Sequence, residues 1–508
     1  MKSKKNINRR KFLGSMATTT TSVAAFTIVP RRVLGKGYVP PSDRINVANI
    51  GCGTQGLREM PGLLENDQIQ VTAVCDVNKY STDYLDWSPR GILNGIRRTL
   101  DNPDWGAFIN GIPGGRDIGK KYVDDYYTKK RAAGTYKACN SYEDFRELLE
   151  KETDLDAIKI MTPDHTHATI ALAAMKKGKH VVTHKPIANR LAEGRMVIEG
   201  AKKYNVRTHL LAWQDRPAYQ LIKKWLDDGV IGTLKEIHNW SYRPVWPQFL
   251  DIPKERLAIP EGFNWDLWLG PVPDRPYHPN YTHNVFRGWY DFGGGSIADM
   301  GHYSLFPLFR TLGIHTSPVS AKAYGSTYRT TVNQVCRPIN NRSSFPYSSM
   351  FKFQFPDQET LPAFDLYWYD GGMKPFAPEE LEIDGRDVAP EGLMLIGDKG
   401  KILGGFRGEN PEIIPHKKME EYQGEKTYSK EEPERRSDTW VRAIKTGEES
   451  PGSFLHAQPI TDLVNLGAAA LRANKKLEFD SANVKITNDE SANQFLSRTY
   501  REGWELTL

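Results

Sequence analysis

Residues 44–56, RINVANIGCGTQG, run an alternating apolar strand directly into a turn with glycines at 51, 53 and 56. In a G-x-G-x-x-G turn the first glycine makes the bend and the second admits backbone to a pyrophosphate. The third lets the next helix pack closely, its N-terminus facing the anion. Such turns are common singly, so the flanking sequence decides. A second strand, QVTAVCDV, ends at Asp76, twenty residues after Gly56. A carboxylate there accepts hydrogen bonds from ribose hydroxyls and repels a 2′-phosphate, which favours NAD over NADP. Thr54 and Gln55, inside the turn, are read as further cofactor contacts.

Residues 85–136 are rich in Gly, Pro and Asn and read as an insertion, because connections between strand and helix are normally shorter. Order returns with the helix SYEDFRELLE, the strand DAIKIMT and the helix after Pro163-Asp164, whose first turn carries His165 and His167. The strand in KHVVTHKP, another helix and VRTHLLAW follow. This alternation predicts a doubly wound parallel sheet, whose ligands bind beyond the carboxyl ends of the strands. Gly51, Asp76, Thr162 and Lys185 all fall at such ends. Lysine is seldom buried without a partner, and Pro186 stops the strand. The rim position gives Lys185 a functional reading over that of a solvated loop.

The ordered set of glycine turn, strand-end Asp76, TPDHTHA and GKHVVTHKP resembles the Gfo/Idh/MocA oxidoreductases over residues 43–240. The resemblance implies that Lys185 contacts a substrate hydroxyl near the nicotinamide, with Thr162, Pro163, His167 and His184 close to the cofactor. His184 stands where the family usually has glutamate. It is either a second polar contact or a structural replacement.

From about Ser241 the chain becomes rich in Trp, Tyr, Pro and Gly, most densely over residues 264–309. Most of this run reads as core. Aromatic faces with a few interleaved charges also suit sugar rings, and Arg287, Trp213, Tyr290 and His283 are the candidate substrate contacts. In GGGSIADMGHYSLF, Asp299 and Tyr303 are four apart, on one helical face, with His302 one step round. The family usually has Asp then His at this spacing, or Tyr in its glucose–fructose oxidoreductase branch. By resemblance Tyr303 moves the hydroxyl proton, His302 is the alternative, and Asp299 orients both. A free tyrosine titrates near about 10, so efficient base catalysis requires Lys185 to lower that pKa.

After residue 320, strands such as SSMFKFQF and AFDLYWY point to a large open, mostly antiparallel sheet. Helices near DTWVRAIK and PITDLVNLGAAALRANK close the fold, and 416–436 reads as a solvated loop. The expected organisation is a leader (1–36), a Rossmann domain (43–215) and a C-terminal α+β domain (216–508).

The leader contains nine lysines and arginines and no acid, so the whole chain's +6 less these nine leaves −3 on residues 37–508. That removes the electrostatic case for a nucleic-acid partner. Arg9-Arg10-Lys11-Phe12-Leu13 resembles a twin-arginine export signal, and the stretch after it is too short and polar for a stable membrane span. The four cysteines show no paired spacing, which indicates neither a metal site nor a disulfide framework.

Together these readings imply an exported, homo-oligomeric oxidoreductase that transfers hydride between a carbohydrate and NAD. A diffusing cosubstrate is implausible outside the cytoplasm, so NAD is expected to travel bound and to be regenerated within each cycle. Two other readings stand beside it. One is a redox-neutral glycosidase that oxidises, eliminates and reduces; the other is a non-catalytic carbohydrate-binding protein.

Overall fold

The computed structural model describes residues 39–131, 134–431 and 433–508. The twin-arginine leader, residues 1–36, lies outside them. The first sheet contains β1 (Ile45–Ile50), β2 (Ile69–Cys75), β3 (Asn140–Tyr142), β4 (Ala157–Ile160), β5 (His180–Thr183) and β6 (Thr208–Leu210). Their order is β3-β2-β1-β4-β5-β6, and every pairing is parallel. All seven residues of β2 are buried, as a strand covered by helices on both faces requires. This is the doubly wound sheet that the strand–helix alternation predicts.

The helix Pro217–Asp227 leads into β7 (Leu234–Trp240), which belongs to a second, nine-stranded sheet. Its other strands are β8 (Ser320–Gly325), β11 (Ser349–Phe355), β12 (Phe364–Tyr369), β13 (Gly392–Gly397), β14 (Lys401–Gly404), β15 (Glu412–Ile414), β16 (Leu477–Asp480) and β17 (Lys485–Ile486). Between β8 and β11, β9 (Tyr328–Val332) and β10 (Val335–Ile339) form a separate hairpin. Only β7 and β12 run parallel within the large sheet. In β11 the residues Ser349, Phe351, Phe353 and Phe355 are buried and those between them half-buried. That period of two marks a sheet with one packed face. One apolar cluster includes Ile158 and Ile160 of the first sheet, Phe351 and Phe353 of the second, and side chains of the helices His302–Leu312 and Gln458–Ala473.

One expectation changes. The insertion occupies residues 77–115 rather than 85–136. It contains the helix Gly91–Leu100, and Arg116–Lys130 is the helix that carries the chain from β2 to β3. The buried face of Arg116–Lys130 is built on Ile118, Tyr122, Val123, Tyr126 and Tyr127, and the Val71 N–H of β2 donates to the Tyr127 hydroxyl at 2.7 Å. Tyrosines among four charged residues (Lys120, Lys121, Asp124, Asp125) hid its amphipathic pattern.

Beyond the division expected at residue 216, the chain returns to pack on the first lobe. Trp440 and Val441 of the helix Arg436–Thr446 join the cluster of Leu63, Leu64 and Ile69, and Asn66 donates to Asp438 at 2.8 Å. Truncating a large aromatic in a packed core costs about 3–5 kcal/mol. Trp440→Ala should lower the unfolding free energy by about that amount in a urea titration while keeping one transition. A loss below about 1 kcal/mol would mean that the helix merely rests on the first lobe.

Candidate active site

The glycine turn follows directly from steric demand. Gly51 has φ +100°, and a Cβ there would lie 2.6 Å from the Met161 carbonyl carbon; one at Gly56 would lie 2.1 Å from the Gly51 oxygen. Only glycine lets β1, the turn and the helix Thr54–Arg58 approach so closely. Asp76 sits at the end of β2, where its carboxylate accepts the Cys52 N–H at 2.6 Å and the Asn78 N–H at 2.8 Å. Burial raises the pKa of this carboxyl against those two bonds and the charges of His283 and Arg116. Each oxygen keeps a further lone pair for another donor.

A cleft extends from this turn. Its walls include Gly51, Gly53, Thr54, Gln55, Asp76, Thr162, Pro163, His184 and Arg287, with Phe263, Trp268, Phe286 and Trp504 as apolar lining. The Thr54 hydroxyl donates to the Leu85 carbonyl at 2.8 Å, so it is engaged by the insertion. His167 is buried instead of lining the cleft. Its ring nitrogens lie 2.6 Å from the Pro186 carbonyl and 2.8 Å from that of Thr162, tying the loops after β4 and β5 together.

Lys185 and Asp299 form an ion pair across the two lobes, the lysine buried and the aspartate side chain 10% exposed. Arg287 Nε donates to the same Asp299 oxygen at 3.2 Å, and Arg287 Nη1 to Asn284 at 2.6 Å. Burial raises the Asp299 pKa, but the charges of Lys185 and Arg287 outweigh it and hold the carboxyl down at about 2. For Lys185 burial dominates over Asp299, and its pKa is lowered. The Lys185 ammonium also lies 5.1 Å from the centre of the Tyr303 ring. The Tyr303 hydroxyl is 2.6 Å from His184 Nε2.

Asp299 belongs to a π-helical turn, Ile297–Gly301, which passes into the α-helix His302–Leu312. Such turns recur at functional sites. Here it delivers Asp299 and Tyr303 to the same lysine. His302 points elsewhere: it is fully buried, its Nδ1 lies 2.8 Å from the Ala298 carbonyl, and burial holds its pKa down at about 3.

Several expectations are corrected. The Tyr303 pKa is raised rather than lowered: burial, with the carboxylates of Glu59 and Asp299, outweighs the charges of Arg436 and Arg407, which work in the other direction. His184 is pushed well below the ordinary histidine range by burial and by Lys185 and Arg287, so its ring is neutral. Trp213 packs edge-on against His209, at 6.1 Å between ring centres, outside the cleft. Tyr290 is buried against Phe345, 4.3 Å between centres, also outside it. His283 lines the cleft on the glycine-turn side, where its ring lies 3.8 Å from that of Tyr84 and its Nε2 3.1 Å from Asp83.

Tyr84 escaped the sequence reading, since nothing in the insertion marks it. A Cβ on Gly53 would lie 3.0 Å from its ring. The insertion also touches the second lobe: Lys79 N–H donates to the Gly262 carbonyl at 2.8 Å, and the Arg243 guanidinium lies 4.8 Å from the Trp87 ring centre. Among the described residues, no group of three or more His, Cys, Asp or Glu is placed to hold a metal ion. None of their helices is long and apolar enough to cross a membrane.

The oxidoreductase-family description "C-terminal alpha/beta domain" matches residues 218–341 and 368–506, and the same family's "NAD-binding Rossmann fold" matches residues 123–211. The chain belongs to the Gfo/Idh/MocA oxidoreductase family. It is 34% identical over 115 residues to levoglucosan dehydrogenase of Pseudarthrobacter phenanthrenivorans, covering 21% of this chain and 29% of that one. It is 22% identical over 211 residues to a glycosyl hydrolase family 109 protein of Shewanella putrefaciens, covering 39% and 38%. Each alignment therefore spans well under half of the curated relative's length. In fold it is similar to the WlbA dehydrogenase of Bordetella pertussis solved with NADH and UDP-GlcNAcA, at TM-score 0.51 and 13% identity, covering 86% of this chain and 99% of that one.

Replacing Asp299 by asparagine leaves the buried Lys185 and the half-buried Arg287 without their anion, a change that typically costs about 3–5 kcal/mol. The folded-state pKa is depressed, so the carboxylate's contribution is complete above the ordinary value near about 3.9 and fades as pH falls toward about 2. Urea titrations of Asp299→Asn and the parent should show a constant deficit from pH 7 to pH 5 that shrinks by pH 3. A deficit unchanged at pH 3 would contradict the ionised pair.

Proposed function

We propose that this chain is an NAD-dependent oxidoreductase that moves a hydride between a sugar-like CH–OH carbon and the nicotinamide. The observation that carries the reading is the convergence of Lys185, Asp299, Tyr303 and His184 at the carboxyl end of β5, beside a cleft that starts at the glycine turn. The turn of Gly51, Gly53 and Gly56 fits a pyrophosphate. Asp76 fits ribose hydroxyls and disfavours a 2′-phosphate, which supports NAD over NADP. Thr162 and Pro163 line the same cleft farther along.

Bound nicotinamide supplies the hydride acceptor and donor. The chain supplies orientation and the path of the proton. Lys185 makes one hydrogen bond, to Asp299, and its ammonium keeps donors for a substrate hydroxyl. Tyr303 takes the hydroxyl proton as its own proton passes to His184 Nε2, 2.6 Å away. Burial disfavours both a lasting tyrosinate and a lasting imidazolium. The proton therefore moves through the pair without resting there, and His184, on the cleft wall, passes one on from its other nitrogen.

The twin-arginine pattern supports an extracytoplasmic location, periplasmic or beyond. With no soluble NAD pool there, the nucleotide stays bound and is regenerated in each cycle. The half-buried outer face of the nine-stranded sheet suits a homo-oligomer. Similarity to a family 109 glycosyl hydrolase favours one second reading, in which transient oxidation of the sugar releases an aglycone and the ring is then reduced.

Denatured, purified protein should release stoichiometric NAD. Lys185→Met and Tyr303→Phe should each lower kcat by about 10²- to 10⁴-fold with the nucleotide retained. Aglycone release without net NADH would select the glycosidase reading. Full turnover by Lys185→Met would overturn the assignment, and protein that neither carries nor binds NAD would point to a carbohydrate-binding role.

A further inference from the structure

Three arginines from distant parts of the chain gather near Tyr303. Arg216 lies in the loop after β6, immediately before the helix Pro217–Asp227. Arg407 lies in the turn after β14, and Arg436 opens the helix Arg436–Thr446. The Arg407 guanidinium is 5.2 Å from the centre of the Tyr303 ring. Burial lowers the Arg216 pKa; Tyr219 and Glu409 oppose that effect, and the like charges of Arg407 and Arg436 add to it.

Other arginines in the interior are held by strong partners: Arg195 by Asp462, Arg498 by Glu193, and Arg190 by the Tyr290 carbonyl, although Nε of Arg190, like that of Arg243 and Arg472, is buried without a partner. Among the described residues, the guanidinium groups of Arg216 and Arg407 make no ion pair or hydrogen bond at all. Arg436 reaches only Glu59 at 3.8 Å and Gln214 at 3.5 Å. Nε of all three, and Nη2 of Arg216, are buried and unpartnered. Donors left in this state carry the full penalty of lost hydration, and three like charges repel one another. An oxyanion relieves both faults at once, because guanidinium forks match carboxylate and sulfate geometry.

The anion does not come from the dinucleotide. Its pyrophosphate belongs at residues 51–56, and no hydrogen bond or ion pair links those residues to the three arginines. The cluster instead borders Tyr303, where the reacting hydroxyl is placed. Resting on the oxidoreductase reading, we infer that the substrate is an anionic sugar whose acidic substituent, a carboxylate or a sulfate ester, is held by Arg216, Arg407 and Arg436.

The test uses the full-length protein with its nucleotide. The probes are D-glucuronate and D-galacturonate in a carboxylate arm, glucose 6-sulfate in a sulfate arm, and D-glucose and D-galactose as neutral counterparts. Turnover and calorimetric binding are measured for each. An acidic probe should bind at least about tenfold more tightly than its neutral counterpart, with an affinity that falls as salt rises. The responding arm identifies the anion. Arg216→Gln and Arg407→Gln should raise its KM or Kd by about 10- to 100-fold, with a smaller change in kcat. Neither variant should lower Tm, whereas a structural arginine would lower it when replaced.

Neutral sugars bound as tightly as every acidic probe would overturn the inference and leave the oxidoreductase reading intact. Failure of all acidic probes to bind would also overturn it. Acid binding that depends on Arg407 without any hydride transfer would uphold the anion site and overturn the oxidoreductase reading.

Discussion

The ion pair between Lys185 and Asp299 joins the carboxyl end of the first sheet to a helical turn of the second lobe, with both groups withdrawn from water. Removing two charges from solvent is costly, and their attraction offsets that cost only when geometry and further hydrogen bonds cooperate. The surroundings meet that condition. Arg287 supplies a second donor to Asp299, and His167 fixes the loop after Lys185 to the loop after β4. The ion pair therefore offsets part of the burial that lowers the lysine's pKa. Its position is also tied to the alignment of the two lobes, so the chemistry beside the cleft depends on both halves of the chain.

Charge near Tyr303 is divided unequally. On one side Lys185 and Arg287 share Asp299. On the other, three arginines share the carboxylates of Glu59, 3.8 Å from Arg436, and Glu409, whose charge acts on Arg216. Burial meanwhile keeps Tyr303 and His184 neutral, so the hydrogen bond between them lies amid cations without carrying charge itself. In a low-dielectric setting such a bond is sensitive to any charge placed beside it. The environment therefore favours a proton that passes through over one that is stored.

Much of the first lobe was legible because its features are local. Gly51, Gly53 and Gly56 answer steric demands set within a dozen residues, and β2 is a continuous apolar run ending at Asp76. Lys185, Asp299 and Tyr303 could be picked out by strand-end position and helical spacing. What escaped depends on long-range packing. Nothing in the sequence turns Tyr84 onto Gly53, buries His302 and Tyr290, or gathers arginines from positions 216, 407 and 436. The helix Arg116–Lys130 was missed for a different reason: tyrosines, which pair an apolar body with a polar tip, form its buried face and blur the periodicity.

The return of the chain to the first lobe has a consequence for biosynthesis. Trp440 and Val441 finish a core that otherwise consists of residues before 212, and Trp504 stands against Phe145 on the cleft wall at 6.3 Å between ring centres. A ribosome delivers Trp440 and Val441 only after β7 to β15, and Trp504 only after the whole nine-stranded sheet. The nascent first lobe thus emerges with an open seam, and its strands wait for a segment more than two hundred residues away. Domains that close on themselves can fold as they emerge. This one cannot finish until late in translation, so its cleft becomes ready for a nucleotide as one of the last events in making the protein.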